Sequence, residues 1–159
     1  MDLELKGKTA IITGGSRGIG KAVGREFGLE KMKVALVARG QEALEKTAIE
    51  LSNETGGEFI TIVADTGKPE SVQAMVKEAA EKLGKIDILI NSAARVSGAY
   101  SPKLLEITED DFWSDMNTKV MGYLRCAQAV APYMIEQGWG RIINLSGMAA
   151  RQSGYSVGS

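Results

Sequence analysis

Thr13-Gly14-Gly15-Ser16-Arg17-Gly18-Ile19-Gly20 follows a short apolar run, Thr9-Ala10-Ile11-Ile12, and leads into a helix-period segment from Gly18 to Glu30. The run is short and β-branched enough for a buried parallel strand. In the segment after it, Ile19, Val23 and Phe27 recur on one helical face. The glycines therefore fall where a strand turns into a helix. There, free backbone N–H groups and the positive end of a helix dipole favour a phosphate. Gly14 and Gly15 can take backbone angles that a side chain forbids, and Gly20 lets the helix lie close to the sheet. The bland alternative is a tight turn; the flanking strand, helix and next βα unit favour a dinucleotide site.

Outward from this stretch, strand and helix alternate. Lys33 to Ala38 reads as a second strand and Gln41 to Glu54 as a helix, with Leu44, Ala48 and Leu51 inward. Phe59 to Ala64 is a third strand, followed by the turn Asp65-Thr66-Gly67 and a helix from Pro69 to about Leu83. Ile86 to Ile90 is a fourth strand, running into Asn91-Ser92-Ala93-Ala94 and a loop from Arg95 to Lys103. A long helix is expected from about Glu109 to Gln137, kinked at Pro132. Gly138-Trp139-Gly140 breaks it before a fifth strand, Arg141 to Leu145, and Ser153 to Ser159 reads as loop. Such alternation predicts an α/β fold: a Rossmann-type, doubly wound parallel sheet in a three-layer αβα sandwich. Residues 1–159 form one expected domain, with no linker marking a second. Ligands of such sheets bind beyond the carboxyl ends of the strands. Those ends carry Gly14 to Gly20, Arg39, Asp65, Asn91 and Ser146.

Composition narrows the chemistry. An apolar content of 44% and a charged content of 25% are ordinary for a globular domain. A net charge of -1 offers no basic field for nucleic acid. No apolar run is long enough to span a membrane and no signal peptide opens the chain, so a cytoplasmic protein is expected. Cys126, the single cysteine, falls in a helical apolar pattern and reads as a small buried hydrophobe. The sequence contains no histidine, which removes the usual general base and the usual zinc ligand. No metal site is expected, and acid–base chemistry falls to Tyr, Lys, Ser or carboxylates.

The second strand decides the cofactor type. A dinucleotide site usually has an acid about twenty residues past the glycines, bonded to the ribose 2′-hydroxyl. Here the strand ends Val37-Ala38-Arg39, and Arg17 adds a second cation. Arginine pairs with phosphate through a planar fork of donors, so this pair favours a 2′-phosphate and NADP(H) over NAD(H). The plain alternative is two solvated surface arginines.

The run Thr13-Gly14-x-x-x-Gly18-Ile19-Gly20 resembles the cofactor loop of the short-chain dehydrogenase/reductase family. The resemblance covers nearly all 159 residues, including Gly140-Arg141-Ile142-Ile143-Asn144. It implies cofactor contacts at Gly14, Ser16, Arg17, Gly18, Ile19, Gly20, Arg39, Asp65, Thr66, Asn91 and Ala93. Asp65 matches the family's adenine-contacting residue, although a turn or N-cap aspartate fits it as well. Asn91-Ser92-Ala93-Ala94 resembles the family's Asn-Asn-Ala-Gly run, whose first Asn steadies the sheet; Ser92 and Ala94 depart from it.

The family's catalytic set is Asn, Ser, Tyr and Lys, and here the match fails. Lys119 stands at the asparagine position, three before Gly122; Asn117 is two positions off, close to the opposite helix face. Gly147 stands at the serine position, with Ser146 one earlier. Tyr155 follows Ser146 by nine residues rather than about thirteen, and the residue four beyond it is Ser159 rather than lysine. The family's final strands have no counterpart, so the expectation is a divergent member that stops after the fifth strand. Candidate catalytic groups are Lys119, as proton donor or as a cation favouring an ionised hydroxyl, with Ser146 and Tyr155.

Three functions compete. The first is NADP(H)-dependent hydride transfer with a small carbonyl or alcohol substrate. The second is dinucleotide binding without catalysis, as a sensor or partner subunit. The third is a structural protomer. The resemblance also implies a homo-oligomer through the long helix 109–137, where Val120, Leu124, Ala127 and Met134 offer an apolar stripe; the alternative is that the stripe faces its own sheet.

Overall fold

The computed structural model describes residues 3–94 and 105–146. Five strands form one parallel sheet in the order β3-β2-β1-β4-β5. They are β1 (Thr9–Thr13), β2 (Lys33–Ala38), β3 (Glu58–Val63), β4 (Ile88–Asn91) and β5 (Arg141–Asn144). The helices are α1 (Gly18–Leu29), α2 (Gln41–Thr55), α3 (Pro69–Leu83), α4 (Glu109–Met116) and α5 (Gly122–Glu136). The strand order reverses between β1 and β4, which makes the carboxyl end of β1 the switch point of a doubly wound sheet.

Alternation along the strands sends side chains to two separate cores. Ile11, Ala35, Val37, Ile62 and Leu89 face α3 and α5, meeting Val72, Met75, Val76, Cys126 and Val130. Ala10, Ile12, Val34, Leu36, Ile88 and Ile90 face the other way, toward Leu44 and Leu51 of α2. Both faces of the central strands are dry, so β1 and β4 read as continuous apolar runs. The three-layer αβα expectation holds. The start of β1 is pinned to β4 by Asp87, whose buried carboxylate accepts from the Thr9 N–H at 2.8 Å and pairs with Lys85 at 3.0 Å.

Gly20 brings α1 close to the sheet as expected, and Gly24 and Gly28 extend that face: all three are buried, while Ile19 is 63% exposed. Small residues win this face because the helix lies so close that a Cβ on Gly24 would sit 3.2 Å from the Leu36 side chain. Val23 and Phe27 pack at its flank.

The long helix is not one α-helix. A π-helical turn, Asn117–Met121, separates α4 from α5, whereas Pro132 lies within the α-helical stretch Gly122–Glu136. Finally, Met134 belongs to the core under α5 and is unavailable to a partner, while Val120 and Leu124 stay exposed. Strand ends shift as well: β4 begins at Ile88, because Ile86 and Asp87 precede the pairing, and β3 and β5 each stop one residue earlier than expected.

Candidate functional site

The carboxyl ends of β1, β2 and β4 meet at the glycine stretch. The Gly15 N–H donates to the Val37 carbonyl at 3.0 Å, tying the loop to the end of β2. From α2, the Thr47 hydroxyl donates to the Ser16 carbonyl at 2.8 Å. Thr13, buried at the end of β1, accepts from the N–H groups of Ser92 and Ala93 at 3.1 and 3.2 Å. One hydroxyl therefore holds the segment leaving β4 against the glycine loop. The packing is close: a Cβ on Gly14 would lie 2.8 Å from the Ser92 carbonyl oxygen, and one on Gly20 would lie 2.4 Å from that of Gly14.

Gly18 differs from both. Its φ is +54°, in the left-handed region, and nothing lies within 4 Å of where its Cβ would be. The open space stands over the first turn of α1, which carries no acidic residue and whose N-cap, Arg17, makes no side-chain capping bond. The first N–H groups of α1 thus face an open cradle with the positive end of the helix behind them. That donor set suits a phosphate, and a side chain at Gly18 would fill the cradle.

Arg17 and Arg39 flank the loop, both exposed, and neither has an ion-pair partner among the described residues. By contrast, Lys21 and Arg25 on α1 pair with Glu50 and Glu54 on α2. Ser16 is half-buried and Ile19 exposed at the start of α1. Beyond β2, Asp65 closes a turn by accepting the Gly67 N–H at 2.9 Å. Thr66 is buried, and its side chain lies where Gly122 leaves room for it.

On the other side of β1, Asn91 is fully buried. Its Nδ2 donates to the Asn144 Oδ1 at 2.9 Å and to the Tyr123 carbonyl at 3.3 Å, joining β4 to β5 and α5. The start of α5 therefore lies across the carboxyl ends of β4 and β5. There, the Tyr123 hydroxyl donates to the Leu145 carbonyl at 3.2 Å, next to exposed Ser146. Burial raises the Tyr123 phenol above its ordinary value, so this tyrosine stays protonated and holds the strand end. Lys119 is half-buried within the π-turn. Gly147 and Tyr155 lie outside the described residues.

Sequence reasoning missed Thr13 and Thr47 as loop holders and Tyr123 as a strand-end tie. Thr13 stands inside the decisive stretch, yet nothing local marks its bonds to residues nearly eighty positions away. Among the described residues, no cluster of His, Cys, Asp or Glu has the makings of a metal site, and no helix is long and apolar enough to cross a membrane.

A family model described as short chain dehydrogenase matches residues 8–159. A fatty acyl-CoA reductase of Mycobacterium tuberculosis is 36% identical over 148 residues, 91% of this chain and 48% of the relative. Among solved structures, the L-sorbose reductase of Gluconobacter frateurii, complexed with NADPH and L-sorbose, superposes with a TM-score of 0.89 at 31% identity, covering 98% of this chain and 58% of that one. An NAD+-bound xylitol dehydrogenase superposes at 0.87 with 32% identity, covering 96% and 58%. The chain thus spans about half the length of the relatives it matches.

Proposed function

This chain belongs to the short-chain dehydrogenase family, and on that premise we propose that it binds NADP(H) and takes part in hydride transfer between the nicotinamide and a small carbonyl or alcohol. The observation that carries the reading is the open cradle at Gly18 over the N-terminus of α1. Backbone N–H groups of the Gly14–Gly20 stretch, other than that of Gly15, hold the pyrophosphate, and Ala93 borders the same cleft with buried Asn91 steadying the strand behind it. Arg17 and Arg39 take the 2′-phosphate, which their lack of ion-pair partners among the described residues supports. Asp65 and Thr66 lie at the base end. When bound, the nicotinamide supplies the hydride; the protein's part is alignment and a proton.

Lys119 Nζ is the proposed donor of that proton to the substrate oxygen, and Ser146 and Tyr155 are hydroxyls it would assist. The relatives' printed names, an acyl-CoA reductase and two polyol or ketose enzymes, support a carbonyl or alcohol as substrate class. A homo-oligomer through α4, the π-turn and α5 is part of the proposal. So is a cytoplasmic setting without nucleic-acid or membrane partners.

A second reading, binding without turnover, draws support from Lys119 and Gly147 standing where the family carries asparagine and serine. The experiment that separates the two is NADPH oxidation followed at its absorbance band with a panel of ketones and aldehydes. Carbonyl-dependent consumption, reduced tenfold or more in Lys119→Met, supports catalysis; the low end for a lost general acid is about a hundredfold. Tight NADPH binding without consumption supports the second reading.

A further inference from the structure

The turn after β3 is clasped by the helix that follows β4. The Asn117 Nδ2 donates to the Gly67 carbonyl at 3.1 Å, and one terminal nitrogen of Arg125 donates to the Thr66 carbonyl at 3.3 Å. The same nitrogen donates to the Asn117 main-chain carbonyl at 3.2 Å, so Arg125 ties the backbone of Asn117 to the turn that the Asn117 side chain also holds. Between them, Gly122 brings the helix so near that a Cβ there would lie 3.1 Å from the Thr66 hydroxyl.

This arrangement depends on the π-turn. Eight residues of α-helix advance about 800°, which would leave positions 117 and 125 about 80° apart around the axis. One residue absorbed by a π-turn leaves about seven α-helical steps, bringing the two within about 20°. The irregularity therefore places Asn117 and Arg125 on one face, and that face meets the turn at Asp65–Gly67.

The sheet order gives the turn its place relative to a ligand. A phosphate over β1 and a ribose phosphate at β2 send the remaining part of a dinucleotide, its base, toward the carboxyl end of β3. Asp65 stands there, with Oδ1 already bonded to the Gly67 N–H. Its backbone is held by the Ser71 hydroxyl, which accepts the Asp65 N–H at 3.0 Å, and by the Lys68 N–H, which donates to the Asp65 carbonyl at 3.0 Å, while the bearing of its carboxylate is set by Gly67.

We propose that Asn117, braced by Arg125, is a positioning residue for base recognition: it holds the Asp65–Gly67 turn where the purine lies, and so sets preference for the base. The inference rests on the dinucleotide-binding reading above. It assigns a role to a half-buried asparagine that the hydride chemistry does not use.

The test compares NADPH with its hypoxanthine analogue, which lacks the exocyclic amine of adenine. Affinities of both are measured by fluorescence titration for the unchanged chain, Asn117→Leu and Asn117→Gln. The unchanged chain is expected to prefer NADPH by about tenfold or more, the scale of one hydrogen bond to a charged group. Asn117→Leu, similar in volume but without a donor, should bind both ligands with nearly equal affinity. Asn117→Gln, which keeps the amide, should recover part of the preference. General damage to the fold would weaken both ligands alike and leave their ratio unchanged. An unaltered ratio in folded Asn117→Leu, or no preference in the unchanged chain, overturns the proposal while leaving the dinucleotide reading intact. Failure of the unchanged chain to bind either ligand overturns both. Should Asn117→Leu not fold, Arg125→Met removes the same brace from its other end, and the same two outcomes decide.

Discussion

At the residue scale, two positions have consequences that can be measured singly. Gly18 combines a left-handed backbone with empty space beside it. A valine there has room, so Gly18→Val should fold with a loss of about 1–3 kcal/mol from backbone strain. Its side chain would occupy the cradle, so nucleotide binding should vanish. A melting curve and an NADPH titration on the same sample check both halves, and normal affinity in the folded variant would show that the cradle is elsewhere.

Cys126 is the other such residue. It is fully buried between α5 and the sheet, and burial pushes its thiol up from 9.0 to about 12, opposed weakly by Arg125. The folded state holds this proton more tightly than the unfolded chain does. Its contribution to stability is therefore complete below about pH 9 and is lost as pH rises from 9.0 toward about 12. Over that range the denaturation midpoint of the unchanged protein should fall more steeply than that of Cys126→Ala. At pH 8 a maleimide should label Cys126 only after denaturant is added; prompt labelling of the folded chain would contradict its burial.

At the element scale, α1 and the helix after β4 teach opposite lessons about sequence. The βα rhythm was legible because buried parallel strands are short apolar runs, and the ends of α2 and α3 fell close to the expected residues. In α1 the apolar period pointed to Ile19, Val23 and Phe27, while the sheet is met by Gly20, Gly24 and Gly28. Hydrophobicity alone does not report the distance between helix and sheet, and here that distance selects small residues. Gly28→Val should therefore cost about 1–3 kcal/mol by overpacking, since its Cβ would stand 2.5 Å from the Thr55 hydroxyl and 2.7 Å from the Phe59 ring. Urea denaturation reads this directly, and an unchanged midpoint would mean that α1 lies farther from the sheet. The π-turn at Asn117–Met121 was not legible at all, because no local residue preference marks it. It becomes intelligible only through the bonds its extra residue permits, from Asn117 and Arg125 to the turn after β3.

At the scale of the whole molecule, the proposed cofactor end rests on local sequence signals and the proposed catalytic end does not. The glycine spacing is a local signal at the switch point, and Arg39 is one at the carboxyl end of the neighbouring β2. The proposed catalytic set draws on distant segments: Lys119 lies in an irregular turn and Tyr155 outside the described residues. The surface carries its own signal. Phe112, Trp113, Val120 and Leu124 remain about half exposed along α4, the π-turn and α5, at 53%, 63%, 49% and 47%. The proposed homo-oligomer draws on these exposed apolar side chains. Light scattering should show that Leu124→Glu has a lower mass than the unchanged protein; equal masses would contradict association through this face.

The central claim is that the carboxyl end of β1 and the start of α1 form an NADP(H) site. Calorimetric titration of the unchanged chain with NADPH and NADH, repeated on Arg39→Ala, tests it most directly. Losing a charge-assisted phosphate contact costs about 1.5–3 kcal/mol. The unchanged chain should therefore bind NADPH at least tenfold more tightly than NADH, and Arg39→Ala should erase most of that difference. Equal affinities in the unchanged chain would contradict the assignment of Arg17 and Arg39, and no binding of either cofactor would contradict the site itself.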